Sequence, residues 1–163
     1  MLVGKWSSNR NGGIVVEPPR SAEQRKKDTL SRLKTDNDAL VASAGAVEGA
    51  YLVPLSFLWD GATLTIATPE TSITGRNLAA SGKARLAIGP TRDIVIIDGT
   101  VEVLTLEKVP GELADAFAAR HWDARKSTPR YAYFRITPQR IQAWREVNEI
   151  AGRDLMRDGA WLT

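Results

Sequence analysis

The chain of 163 residues has no cysteine and a single histidine, His121. The first absence removes disulfides, thiolate nucleophiles and cysteine-ligated zinc or iron–sulfur centres. The second removes histidine clusters, and no serine or aspartate at a telling spacing partners the one imidazole. His121 closes a helical pattern beside Trp122, where it reads as a capping group that favours a helix C-terminus. No apolar run approaches the roughly 20 residues that span a bilayer. The opening MLVGKWSSNRNGG lacks the apolar centre of a signal peptide. A cytoplasmic protein without a membrane partner is expected. No G-x-G-x-x-G occurs, which disfavours a dinucleotide-binding Rossmann unit. Net charge is +3, but the basic residues form no long block. Arg25, Lys26 and Lys27 are the only run and read as a solvated helix face, so no nucleic-acid partner is expected.

What is present suits one globular domain: 43% hydrophobic and 25% charged residues, in a chain long enough for a real core. Residues 1–20, with their NGG and EPPR turn signals, form a flexible arm in which Trp6, Ile14, Val15 and Val16 offer apolar contacts. Residues 21–146 form the folded domain. Residues 147–163 form a C-terminal tail that packs on the barrel or on a partner subunit. Its polar start leaves Glu149 and Asp154, with Glu146 just before it, solvated.

Ser21 with Gln24 makes a capping box for a helix to about Lys34, with Leu30 and Leu33 inward. Ala39–Ala44 reads as a strand, and Gly45–Gly49 as a loose turn. DIVIIDGTVEVL, Asp93–Leu104, is a long β-branched strand with a bulge signal at Gly99. Pro110–His121 has helical spacing. Tyr131–Thr137 is a strand that Pro138 breaks, and Ile141–Trp144 resumes it. Hairpin-joined antiparallel strands with peripheral helices give a mainly β barrel.

The chain is organised around Tyr51–Ile88, YLVPLSFLWDGATLTIATPETSITGRNLAASGKARLAI. An apolar strand runs to Trp59, Asp60-Gly61 turns it back, and a second strand from Leu64 stops at Pro69, which has no N–H to give a ladder. Thr71 or Ser72 caps a short helix that Gly82 ends. Lys83–Ile88 is a third strand. Thr68, Ser72, Thr74, Arg76, Asn77 and Lys83 bring hydroxyls, amides and cations to a helix start, which on residue types alone fits a capped surface helix followed by a basic edge strand as well as a phosphate site.

This stretch, with YFRITPQRIQAW from Tyr133 to Trp144, resembles the pyridoxamine 5'-phosphate oxidase-like family of split-barrel flavoproteins and their deazaflavin-using relatives. The resemblance spans about residues 30–146 and lies in the order and spacing of the two blocks. It implies a six-stranded antiparallel split β-barrel with Greek-key character. It also implies a homodimer with a cofactor cleft between subunits, and a flavin-dependent oxidoreductase acting on a small molecule. Flavin mononucleotide (FMN) is the expected cofactor. The 5-deazaflavin coenzyme F-420 is the alternative, with Arg20, Arg25, Lys26 and Lys27 as a track for its acidic tail. A non-catalytic flavin-binding or degenerate split-barrel protein is the other reading.

In the family the strand holding Val53, Pro54, Leu55 and Ser56 runs beside the isoalloxazine ring, and Trp144 would reach a ring from the neighbouring subunit. The other aromatics, Trp59, Trp122, Tyr131, Tyr133 and Phe134, read as packing. One departure stands out. Family members commonly carry Lys or Arg three residues before the Asn-Leu pair, where this chain has Thr74; the cation here is Arg76. No catalytic side chain is assigned and no metal is expected. The C-terminal part has no histidine, so the Arg-x-His pair of a true pyridoxamine phosphate oxidase is missing and the substrate differs.

Overall fold

The computed structural model describes residues 17–163. The first 16 positions, and with them the reading of Trp6, Ile14, Val15 and Val16, lie outside the described residues. Helix α1 (Ala22–Thr35) precedes strands β1 (Asp38–Gly45), β2 (Gly49–Trp59) and β3 (Leu64–Pro69). Helix α2 (Ile73–Ser81) leads to β4 (Lys83–Ile88) and β5 (Ile94–Leu104). Helix α3 (Gly111–Arg120), a long β6 (Tyr131–Trp144), a 3-10 turn at Val147–Gly152, β7 (Asp154–Arg157) and β8 (Ala160–Trp161) complete the chain.

All pairings are antiparallel, in the order β3-β2-β1-β4-β5-β6-β7-β8, and β3 also pairs with β6. That last pairing closes β1–β6 into a six-stranded barrel. β1, β2 and β3 form a meander, and β4 returns beside β1, which is the Greek-key order. The return path is α2. Side chains alternate in and out along each strand, so Val41, Phe57, Ile66, Leu86, Ile97, Phe134 and Ile136 fill the interior. A second apolar cluster of Ala67, Leu104, Ala114, Phe117 and Tyr133 lies under α3.

Local signals explain most boundaries. Ser21 Oγ accepts from Gln24 N at 3.1 Å and starts α1, although the Gln24 amide goes to Asp28 at 2.7 Å rather than back to the cap. Asp60 accepts from the amides of Ala62 and Thr63, and Gly61 takes φ 102°, which closes the β2–β3 hairpin.

Three readings need correction. β6 does not break at Pro138. Asp98 faces Arg140 and Gly99 faces Pro138, so Gln139 is an extra residue at the expected bulge, and the ladder passes Pro138 where its missing N–H does no harm. A Cβ on Gly99 would lie 2.6 Å from Ile136 Cγ2, so only glycine admits this close approach. In the C-terminal segment β7 pairs with β6, and Asp158-Gly159, both at positive φ, turn the chain into β8. Arg25 is not on a solvated face; it is 6% exposed and donates to Gly152 O at 2.6 Å.

Glu149, expected in water, is 4% exposed. It accepts from Arg20 N at 3.0 Å, Arg20 Nε at 2.9 Å, Arg20 Nη2 at 2.8 Å and Arg145 N at 2.8 Å. Arg20 also reaches Asp28 at 2.8 Å and Asp93 at 3.4 Å. Burial alone would raise the Glu149 pKa; the bonds from Arg20 and Arg145 outweigh it and bring the group from 4.5 to about 2. A depressed carboxylate stabilises the fold above its unfolded value. Stability from Glu149 should therefore be complete above about pH 4.5 and drain away as pH falls toward 2. Replacing Glu149 by Ala should cost on the order of 3 kcal/mol, because it leaves Arg20 Nε and the Arg20 and Arg145 amides without their acceptor, and should flatten that acid limb in urea melts run against pH.

Candidate functional site

The site is built around the crossover helix. Ser72 caps α2, with Oγ accepting from Gly75 N at 2.9 Å, and shares a 3.2 Å hydrogen bond with Thr68 Oγ1. Gly82 ends the helix at φ 63°, its N–H reaching Leu78 O at 2.9 Å. A Cβ on Gly75 would stand 2.5 Å from Pro69 O, so glycine lets the first turn rest on the end of β3. Arg76 N and Ser72 N are taken by Ser72 O and Pro69 O, each at 3.0 Å. The N–H groups of Ile73 and Thr74, in the first turn, have no acceptor within the helix.

Asn77 is buried and donates Nδ2–H to Ser43 Oγ at 3.2 Å. A Cβ on Gly45 would fall 2.2 Å from Asn77 Oδ1, so the end of β1 touches the helix directly. Thr74 is also buried, at 2% exposure. Arg76, next to Asn77, projects outward, about 100° round the helix. Its Nη2 lies 2.7 Å from Glu48 Oε1, and its Nη1 donates to Thr71 O. The Arg76 bond holds the Glu48 carboxyl below its ordinary range.

β2 supplies the second component. It pairs with β1 from Gly49 to Ser56 but with β3 only over Phe57–Trp59. The far edge of Gly49–Ser56 therefore has no strand partner among the described residues. Phe57 N donates to Asn37 O at 2.9 Å on the β1 side. Ladder groups alternate sides, so Leu55 and Val53 also bond toward β1, while Leu52, Pro54 and Ser56 direct their backbone groups to the open edge. Pro54, which lacks an N–H, thus costs the β1–β2 ladder nothing. Val53 and Leu55 face the barrel; Pro54 is exposed, and Ser56 Oγ bonds Asp38 Oδ1 at 2.6 Å.

The structure thus brings Thr68, Ser72, Thr74, Arg76 and Asn77 together, and Arg76 meets β2 through Glu48, the residue before Gly49. It does not bring Lys83 there: that residue follows the far end of α2, about 13 Å along the axis. Trp144 ends β6 at the opposite end from Tyr131, which pairs with Pro69 at the approach to α2. Arg153 lies over the Trp144 ring, 5.8 Å from its centroid. His121 Nε2 is 2.9 Å from Phe57 O, a backbone contact. Tyr133 and Phe134 are core residues. Glu48, Ser43 and Gly45 escaped the sequence reading, which took 45–49 only as a loose turn; the carboxylate in GAVEG was the available signal.

An antiparallel six-stranded barrel with a helix on its Greek-key crossover is the architecture of split-barrel proteins. The sequence model of the pyridoxamine 5'-phosphate oxidase family matches residues 26–145, and the chain belongs to that family. General Stress Protein 26 from Bacillus anthracis str. Sterne is similar in structure at 15% identity, covering 75% of this chain and 94% of its own, with a TM-score of 0.59. An F-420 reductase is similar at 16% identity, covering 68% of this chain and 93% of its own, with a TM-score of 0.54. A FAD-binding protein from Mesorhizobium loti is similar at 19% identity, covering 76% and 93%, with a TM-score of 0.54. Among curated proteins no relative matches the sequence. No helix among the described residues is long and apolar enough to cross a membrane, and they contain no cluster of metal-ligating side chains.

Ser72→Ala should remove the α2 cap at a cost of about 1 kcal/mol. Amide exchange should quicken first in residues 73–78, before any change in the barrel strands.

Proposed function

We propose that the protein is a flavin-dependent oxidoreductase acting on a small molecule, with FMN as its cofactor. The observation that carries this reading is the unpaired edge of β2 at Leu52–Ser56, on the strand whose preceding turn carries Glu48, the partner of Arg76. A flavin ring needs apolar walls with a few fixed polar groups at its edge. The free Leu52 and Ser56 N–H groups and the Leu52, Pro54 and Ser56 carbonyls are such groups. The start of α2 would take the phosphate, through the Ile73 and Thr74 amides, the Thr68 and Ser72 hydroxyls, and Arg76. When bound, a flavin supplies hydride or electron transfer, and the protein supplies position and electrostatics. The likeness to an F-420 reductase keeps the deazaflavin as the second reading. Arg20 and Arg25 are engaged with Glu149, Asp28 and Gly152. They are spent for that cofactor's acidic tail, and the suggested track loses half its members.

A second copy of the chain would complete the site. Register sets Pro54, Leu40, Ala87 and Ile96 side by side on the outer barrel face, beside an Arg85–Asp98 pair at 2.5 Å. Leu40 is 44% exposed and Leu52 58% exposed. An apolar row of this kind is suited to a partner's matching row. Trp144, remote from α2 in its own chain, would then serve the neighbouring cleft.

Titration with FMN and with F-420, followed by absorbance and reductive bleaching, tests the cofactor; a protein that takes up neither is the non-catalytic alternative. Arg76→Ala should weaken FMN binding about tenfold, the worth of one charge-assisted phosphate bond. Leu40→Glu should shift the protein to monomers in sedimentation and release flavin with them.

A further inference from the structure

We propose that Glu48 is a built-in competitor for the anion Arg76 would bind, so that a cofactor phosphate must displace one of the protein's own carboxylates. This rests on the functional reading above. Arg76 is the only cation between Pro69 and Gly82, and its guanidinium is already engaged, by Glu48 at 2.7 Å and by the Thr71 carbonyl.

The contact is set by the fold. Glu48 stands on the β1–β2 turn, where Gly49 takes φ 68°. That turn is seated on α2 through Gly45, whose missing Cβ makes room for Asn77. Helix and turn are therefore fixed to each other, and the two charged side chains meet across the seam. Yet the pair stays exchangeable: the Arg76 side chain is 52% exposed and that of Glu48 28%. An exposed ion pair is weak, whereas phosphate offers a guanidinium two oxygens in the geometry of its fork.

The other groups nearby do not add an unpaired cation among the described residues. Ile73 and Thr74 are uncharged, and the one further cation at the approach to α2, Arg130, is itself paired with Glu70 at 3.1 Å and with Glu107. An anion approaching α2 meets a neutralised arginine and must move Glu48 aside. Affinity for a phosphate-bearing cofactor is thereby held below what the helix start and Arg76 would give alone, and Glu48 returns to close the seam when the anion leaves. The competition concerns the phosphate and not the ring, which distinguishes it from a general change of shape.

Binding of FMN and of riboflavin, which lacks the phosphate, is compared by fluorescence quenching in the wild type, Glu48→Gln, Arg76→Ala and the double variant. Glu48→Gln should tighten FMN three- to fivefold, a range of about the size expected for one exposed ion pair. It should leave riboflavin unchanged and have no effect once Arg76 is Ala. Unchanged or weaker FMN binding, an equal gain for riboflavin, or a gain that survives in the Arg76→Ala background would overturn the proposal. If no variant binds either flavin, the functional reading fails. Inorganic phosphate, titrated against the Arg76 guanidinium NMR signal, then decides this one separately: tighter phosphate in Glu48→Gln upholds it, and equal affinity overturns it.

Discussion

The seating of α2 on β1 is the constraint from which the rest of the site follows. A Greek-key barrel must carry its chain from β3 past β1 and β2 to reach β4, and here one short helix makes the crossing. Nine residues have little intrinsic stability as a helix. What holds them is capping at both ends and the buried Asn77 bond to Ser43. Because Asn77 and Thr74 point inward, Arg76 must point outward, and the β1–β2 turn beneath the helix is where it arrives. Electrostatics, backbone geometry and strand order therefore converge on one seam.

The open β2 edge has the same origin. β3 pairs with β2 only near their shared hairpin and then swings across to β6 to close the barrel. The price of that closure is a stretch of β2 without a neighbour. Such an edge is ordinarily a hazard for strand addition. Pro54 and the approach of α2 blunt it, and they leave backbone donors and acceptors for something smaller than a strand.

Much of this was legible in the sequence because its signals are local. Asp60-Gly61, Ser72 and Gly82 each fix a turn or cap by their own chemistry, and the β-branched run from Ile94 announces a strand without help from the rest of the chain. The misreadings share a different cause. Pro138 looked like a breaker because its tolerance depends on a bulge whose other half, Gly99, lies on another strand. Glu149 looked solvated because its partner, Arg20, is 129 residues away. Arg25 looked like part of a basic face because the carbonyls it serves, on Gly152 and Ala143, are equally remote. Asp158-Gly159 was an overlooked signal: the same dipeptide type read correctly at Asp60-Gly61 turns β7 into β8. At the candidate site, Arg76 was visible but its counterion was not, since nothing in a linear reading ties residue 76 to residue 48.

The Arg20–Glu149 clasp has a consequence for how the molecule is made. Its two halves lie 129 residues apart, and Asn148 adds a 2.8 Å bond to the Glu17 carbonyl. During synthesis α1 leaves the ribosome with Asp28 already at hand for Arg20, but Glu149 and Gly152 follow 129 and 127 residues after the arginines they serve. Glu149 and Gly152 are thus the ones that lock the first described helix in place.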